Sequence, residues 1–294
     1  MSRIPALSLM TATVLALSAC VSTGPAAREV AAPVPVVAAD DNLNAVLWVQ
    51  TAQEYRALTM QAWKMAAANL DRALADPTWT ALLPGEGAEL QKPDLPPAVV
   101  VDIDETMLDN SAYQARLVLD GASFSDAGWA AWVAERKARP VPGALEFARA
   151  AAAKGVSIVY ISNRTHDMAA DTIANLRAYG FPVDESNYYG LGYEVPGCTA
   201  HGSEKGCRRI AAAGKYRVLM QVGDQITDFA QLTANTREQR DALLANHGQW
   251  IGERWYMLPG PTYGGYEPAA FGNNWKLPAG ERRKAKHAAL EPAR

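Results

Sequence analysis

The sequence predicts an α/β protein in which a central parallel sheet carries helices on both faces. Three apolar runs, 98–101, 156–161 and 217–222, each end at once in small or acidic polar residues. Helix-periodic segments alternate with these runs, and glycine or proline punctuates the joins, which is the pattern of strand–helix–strand units rather than of hairpins. With 294 residues, 49% hydrophobic and 20% charged, the chain can bury a full core as one large domain or a domain with a cap. Its formal net charge of −3 gives no long-range field that would draw a nucleic acid polymer.

Taken from the start, Arg3 precedes a mostly apolar stretch over 4–17, then Leu17-Ser18-Ala19-Cys20. Residues 1–19 read as a secretory signal, too short for a spanning helix, which needs about 20 apolar residues. Small residues before a cysteine resemble the lipobox of bacterial lipoproteins. Cys20 is then the lipidated first residue and the attachment to a membrane, and Val21 after it favours sorting to an outer membrane, facing the periplasm or the cell surface. An ordinary cleaved signal with an incidental cysteine is the alternative; export follows from both. Residues 20–39, rich in Ala, Pro, Val and Thr, read as a flexible tether.

Folding is expected to begin near Asp40. Leu43, Leu47, Tyr55, Leu58, Ala62, Ala66, Leu70 and Leu74 recur at helical spacing, with Asp40 or Asp41 to cap and Pro77 to stop one or two helices. The first strand ends at Asp102, the second at Ser162, the third at Gly223-Asp224. In an open parallel sheet those carboxyl ends face one crevice, so residues distant in sequence converge there. Pro142 opens a helix that Gly155 closes, and Asp167 opens one that Gly180 closes. The stretch between the first two strands, holding Trp129 and Trp132, is longer than an ordinary crossover and implies an insertion over the crevice. The main domain is placed at 40–280, with helical cap segments near 40–95 and 110–140, and the basic residues Arg282, Arg283, Lys284 and Lys286 in a solvated tail over 281–294. Cys198 and Cys207 suit a disulfide in an exported chain; zinc, with His201 between them, is the competing use.

Asp102 and Asp104, one residue apart at a strand end, point the same way and must share a cation or a proton. A hard cation is the simplest answer. A calcium loop needs glycine where Met107 stands and an acid where Tyr113 stands. The blander alternative is that these acids cap a helix starting near Glu105. Asp224 and Asp228 repeat the pattern after the third strand and add oxygen ligands of the kind magnesium takes. Ser162 and Asn163, just ahead of the helix expected at Asp167, suit a phosphate cradle, although Ser-Asn-Arg is also a common turn. Lys205 could neutralise a phosphate there, with Lys215 as its rival.

Taken together, Val-Val-Val-Asp102-Ile-Asp104-Glu-Thr106-Met-Leu-Asp109-Asn110-Ser, Tyr160-Ile-Ser162-Asn163-Arg164, Lys205-Gly-Cys-Arg208-Arg209 and Gln221-Val-Gly-Asp224-Gln-Ile-Thr-Asp228-Phe resemble the four motifs of the haloacid dehalogenase (HAD) superfamily. In detail they resemble its class C acid phosphatases, the bacterial lipoprotein acid phosphatases and 5′-nucleotidases. The likeness runs from about residue 40 to about 275 and includes Met257-Leu258-Pro259 and Tyr263-Gly264-Gly265-Tyr266. It implies a HAD-like Rossmannoid fold with a smaller, mainly helical cap. It also implies Mg2+ as cofactor and hydrolysis of phosphomonoesters through an aspartyl-phosphate. Asp102 is then the nucleophile, Asp104 the general acid and base, and Asp102, Asp224 and the Asp104 backbone carbonyl the metal ligands, with Asp228 one layer behind. Ser162, Asn163 and Lys205 hold the phosphoryl oxygens; the family's Lys-x-x-Arg-Arg pattern favours Lys205 over Lys215.

The resemblance also places Trp129 and Tyr263 as aromatic walls around a nucleobase or aryl leaving group. Such stacking is worth about 1 to 3 kcal/mol and tolerates different bases, so nucleoside 5′-monophosphates and aromatic phosphates are the expected small-molecule substrates. The alternative for Trp129 is a core face shared with Trp132 and Val133. A phosphotransferase working through the same intermediate, and a surface lipoprotein that binds without catalysis, are the competing functions. An oligomer is compatible with the sequence.

Overall fold

The computed structural model describes residues 40–293, so the expected signal, Cys20 and the tether lie outside the described residues. Asp40 Oδ1 accepts from the Asn42 backbone N–H at 2.7 Å, a local turn that ends at the first helix without capping it by a side chain. Helix α1 spans Leu43–Thr51 and α2 spans Gln53–Ala75, parted by the extended residue Ala52. Asp76 ends α2 in an extended conformation, as the residue before Pro77 must be. The predicted face holds at Tyr55, Ala66 and Leu70 and fails at Leu43, Leu47 and Leu58. Leu43, Leu47 and Leu58 are 50%, 53% and 46% exposed, whereas Tyr55, Thr59, Trp63, Ala66, Leu70 and Ala73 are buried.

The chain continues through β1 (Pro97–Val101), β2 (Leu108–Asp109), α3 (Ser111–Asp120), α4 (Asp126–Glu135), β3 (Arg139–Pro140) and α5 (Ala144–Ala153). It then forms β4 (Ser157–Thr165), α6 (Ala169–Tyr179), β5 (Tyr188–Leu191), α7 (Gly206–Ala213) and β6 (Arg217–Gly223). Last come α8 (Arg237–His247), β7 (Trp255–Met257), α9 (Tyr266–Ala269) and α10 (Ala279–Ala288). Five strands make one sheet in the order β5-β4-β1-β6-β7, every neighbouring pair parallel. This is the α/β architecture the sequence predicts, with β5 and β7 added at its edges.

Alternate residues of β1 enter opposite cores. Val99 and Val101 pack with Trp63, Ala66, Leu70, Phe147 and Ala148, while Ala98 and Val100 pack with Ala212, Phe229 and Trp255. Covering both faces explains why β1 reads as an unbroken apolar run, and each valine so buried contributes about 1.5 kcal/mol or more. Because α2 supplies Trp63 to Ala73 to the first core and packs on α5, it belongs to the helical layer of the sheet rather than to a cap over 40–95.

Within the stretch 110–140, α3 and α4 leave the sheet and return, closed at the base by the antiparallel pair β2–β3. Ser125 Oγ caps α4 by accepting from Gly128 N at 3.1 Å, and Arg136 ends it in the left-handed region. At the other end of the chain, the expected basic tail forms the helix α10, none of whose residues is buried. Arg283 and Lys286 reach Asp41 at 3.0 and 2.7 Å, and Lys286 also reaches Glu267 at 3.1 Å, so these two basic residues have carboxylate partners. Cys198 and Cys207 form a disulfide, which removes the thiolates that zinc would need. No helix among the described residues is long and apolar enough to cross a membrane.

Candidate active site

Asp102 is the first residue beyond β1, and its backbone N–H still donates to Val222 O on β6 at 3.0 Å. The chain then turns tightly: Met107 N and Leu108 N both donate to Ile103 O at 2.8 Å. No helix starts near Glu105, so the capping alternative fails; α3 begins only at Ser111. Glu105 itself adopts φ 61°, a left-handed conformation that costs a side-chain-bearing residue about 1–3 kcal/mol. Its buried carboxylate is held by Asn110 N at 2.9 Å and by the Tyr263 hydroxyl. Tyr263 is therefore half-buried with its hydroxyl turned inward, not the tip of an exposed turn.

Across the crevice, β6 ends at Gly223 and delivers Asp224 and Asp228. One oxygen from each of Asp102, Asp224 and Asp228 lies within 4.8 Å of the others, and all three residues are buried. Asp228, expected one layer behind, stands in the cluster. Glycine makes the crowding possible, since a Cβ on Gly223 would overlap the Asp228 carboxylate and one on Gly260 the Asp224 carboxylate. Lys205, at the N-terminal end of α7, buries its ammonium against Asp102 and donates to Asp228 Oδ1 at 2.7 Å. Burial draws the Lys205 ammonium down, but Asp102 and Asp228 outweigh it and hold its pKa above the ordinary value.

The acids remain under-compensated. Burial, reinforced by Asp228 and Asp104 and opposed by Lys205, pushes the Asp102 carboxyl up to about 7. Burial and then repulsion from Asp228 and Asp102 raise Asp224 well above the carboxylate range. Three buried oxygens converging with a single ammonium to balance them fit a hard divalent cation.

Asp104 faces elsewhere. Its carboxylate accepts from Arg164 Nε and Nη2 at 3.0 and 2.8 Å and from Asn110 Nδ2 at 2.9 Å. Asn110 Oδ1 in turn accepts from Trp132 Nε1 at 2.8 Å, so a buried network fixes the carboxylate. The Arg164 guanidinium also lies 5.4 Å from the Trp129 ring centroid. Trp132 and Val133 are buried in the core, but Trp129 is only half-buried, its ring edge-on to Tyr113 at 5.2 Å.

Ser162 and Asn163 depart from the expected setting. Strand β4 runs on through both of them to pair Thr165 with Leu191 of β5, and a 3-10 turn over His166–Met168 leads into α6 at Ala169. Ser162 Oγ accepts from Arg164 N at 3.1 Å, and Asn163 is exposed. Arg208 joins this strand end to the segment before Lys205: it donates to Ser162 O, to Asn163 Oδ1 at 2.7 Å, and to the carbonyls of Ser203 and Glu204 at 3.2 and 3.0 Å. Burial lowers its pKa to about 10. Lys215 lies 5.3 Å from the Tyr189 ring, and it is Lys205 that meets Asp102.

The structure thus brings Asp102, Asp224, Asp228 and Lys205 into direct contact or near contact, and sets Asp104 beside them on Arg164. Sequence reasoning gave no role to Arg164, Glu105, Asn110, Arg208 or Gly260. Arg164 had a signal, its place directly after Ser162-Asn163; Gly260 had none. Comparison with known proteins gives a consistent answer. The family model described as HAD superfamily, subfamily IIIB (acid phosphatase), matches residues 9–266. The chain is similar to the solved class C acid phosphatase from Bacillus anthracis at 30% identity and TM-score 0.75, over 86% of this chain and 98% of that one. A structure of the class C acid phosphatase from Bacillus anthracis with tungstate bound matches at 29% identity and TM-score 0.74, over the same shares.

Proposed function

Since the chain belongs to the acid phosphatases of subfamily IIIB of the HAD superfamily and is a phosphoric monoester hydrolase, we propose that Asp102 is its nucleophile. Attack of an Asp102 oxygen on phosphorus breaks the ester P–O bond while Asp104 gives its proton to the departing oxygen. Asp104 then takes a proton from the water that hydrolyses phospho-Asp102 and returns the free carboxylate. The observation that carries this reading is the contact of the Lys205 ammonium with Asp102 at the edge of the acid cluster, which puts a cation where phosphoryl oxygens must lie. Ser162 and Asn163 complete the hold on those oxygens.

Magnesium is the proposed cofactor, held by Asp102, Asp224 and the Asp104 carbonyl, with Asp228 beside them. The chemistry it supplies at such a site is charge neutralisation and alignment of the phosphoryl group. Trp129 beside Arg164, the partner of Asp104, and Tyr263 on Glu105 are the proposed aromatic walls, and their approach to these groups supports nucleoside 5′-monophosphates and aryl phosphates as substrates. Attachment through a lipidated Cys20, outside the cytoplasm and at an outer membrane, is proposed from the lipobox-like residues 17–20. The Cys198–Cys207 disulfide supports an oxidising compartment.

The test is hydrolysis of an aryl phosphate at about pH 5 to 6, where a carboxyl can serve as acid and base, with and without a chelator. Magnesium-dependent release in the native protein, lost in Asp102→Asn with the fold intact, is expected. Unchanged turnover in Asp102→Asn removes this mechanism. The tungstate-bound Bacillus anthracis enzyme suggests that oxyanion as an inhibitor to try here.

A further inference from the structure

Residues 192–204, between β5 and α7, form no helix or strand. Tyr193 packs edge-on against Tyr189 at 4.8 Å and so fixes the start of the segment. Beyond it the contacts thin out. Gly197 and Gly202 adopt positive φ, and a Cβ on either would meet nothing within 4 Å. Cys198 N bonds to Val195 O at 3.1 Å and Glu204 N to His201 O at 3.2 Å, both within the segment. The disulfide to Cys207 is the covalent tie between 194–202 and α7.

Lys205 lies inside the ring that this bond closes, two residues before Cys207, and Cys207 is buried in the first turn of α7. That helix has eight residues, a length at which helices are marginal without outside support. No side chain caps it at Lys205. The disulfide and the bonds of Arg208 to the carbonyls of Ser203 and Glu204 tie the segment before it to its first turn, while Arg209 anchors the helix to Glu86 and to the carbonyls of Thr227 and Asp228. A lysine has four rotatable side-chain bonds, so its ammonium stays between Asp102 and Asp228 only while its backbone is held.

We propose that the Cys198–Cys207 disulfide is a positioning element for Lys205, so that the site's affinity for phosphate depends on the bond. The inference rests on the reading of Lys205 as a holder of phosphoryl oxygens. A dithiol reductant transfers two electrons and two protons, becomes a cyclic disulfide, and leaves Cys198 and Cys207 as thiols. The ring around Lys205 is then open. Phosphate binding by this protein is therefore weak in a reducing compartment and full strength only after oxidation outside it.

The experiment uses the full chain with magnesium, with and without dithiothreitol. Thiol titration must show two new thiols, and circular dichroism must show the fold retained. Expected on reduction is a rise of roughly tenfold in both KM for an aryl phosphate and the inhibition constant of orthophosphate, the scale set by loss of placement rather than loss of a group. The double variant Cys198→Ser, Cys207→Ser should show the same constants and ignore reductant. Two new thiols with unchanged constants overturn the proposal, as does global unfolding, which would make the bond a determinant of the fold. Lys205→Met separates the two layers of the argument. If orthophosphate affinity is unchanged in that variant, the reading of Lys205 fails and the inference with it. If affinity drops there and reduction then weakens it by a further tenfold, the bond acts elsewhere and the positioning claim alone is overturned.

Discussion

Arg164, a side chain that is itself fully enclosed, donates from Nε and Nη2 to Asp104 Oδ1 at 3.0 and 2.8 Å and from Nε to Asp104 Oδ2 at 3.3 Å. The planar guanidinium fixes both the position and the rotation of the carboxylate, and Asn110 adds a third donor. A general acid and base needs that fixed aim more than it needs a neighbouring charge. Arg164→Lys keeps the charge and loses the fork, so kcat should fall about 10- to 100-fold with KM little changed. Arg164→Ala leaves Asp104 without its ion-pair partner and should cost about 3–5 kcal/mol in a denaturant melt. Wild-type kcat and an unaltered pH–rate profile in Arg164→Lys would remove Asp104 from the proposed role.

Gly260 carries a prediction free of backbone strain, because its φ is ordinary and its constraint is contact. A Cβ there would overlap Asp224 Oδ2 and come within 2.9 Å of Asp224 Cγ. Gly260→Ala should swing this carboxylate away from Asp102 and Asp228 and lower magnesium affinity about 10- to 100-fold. Calorimetric titration of the metal checks it. Native affinity in the variant would show that Asp224 is not a ligand.

How much of this was legible in sequence depends on how local the cause is. Strands β1, β4 and β6 could be read because each is an apolar run buried on both faces and cut off by polar residues. Strands β5 and β7 were missed because Tyr188–Leu191 and Trp255–Met257 are too short to show a period. On α2 the buried face was read correctly at Tyr55, Ala66 and Leu70, but Leu58 lies on the solvent side while Thr59 and Trp63 go inside. Asp102 and Asp224 announce themselves at strand ends, and the choice of Lys205 over Lys215 came only through resemblance to a family. Arg164 with Asp104, and Tyr263 with Glu105, are tertiary pairs, and nothing at either position alone reports its partner.

Tyr263 has two separable features, a ring proposed to stack on the substrate and a hydroxyl on Glu105. Burial, followed by repulsion from Asp104, pushes the Glu105 carboxyl up to about 8. Tyr263→Phe keeps the ring and strips a donor from a buried acceptor, so stability should drop by about 1–3 kcal/mol while KM for a nucleoside monophosphate holds. Tyr263→Ala should raise KM as well, roughly tenfold, through lost stacking. Equal KM in native protein, Phe and Ala variants would take Tyr263 out of the substrate site.

The acid cluster makes stability depend on pH and metal together. Without a cation, folding raises the carboxyls of Asp102 to about 7, of Glu105 to about 8 and of Asp224 well above the ordinary range, burial being the first cause each time. In the unfolded chain the same groups titrate near about 4. Between those limits the folded state holds more protons than the unfolded one, so unfolding free energy must fall as pH rises. Chelated protein should therefore lose about 5 °C or more in Tm between about pH 5 and pH 8. Magnesium binding displaces those protons, so millimolar magnesium should raise Tm little at the lower pH and much more at the higher one. The difference between chelated and magnesium-loaded melts cancels titrating groups remote from the site. A difference that stays flat with pH, or shrinks as pH rises, would mean that these carboxyls do not face a common cation.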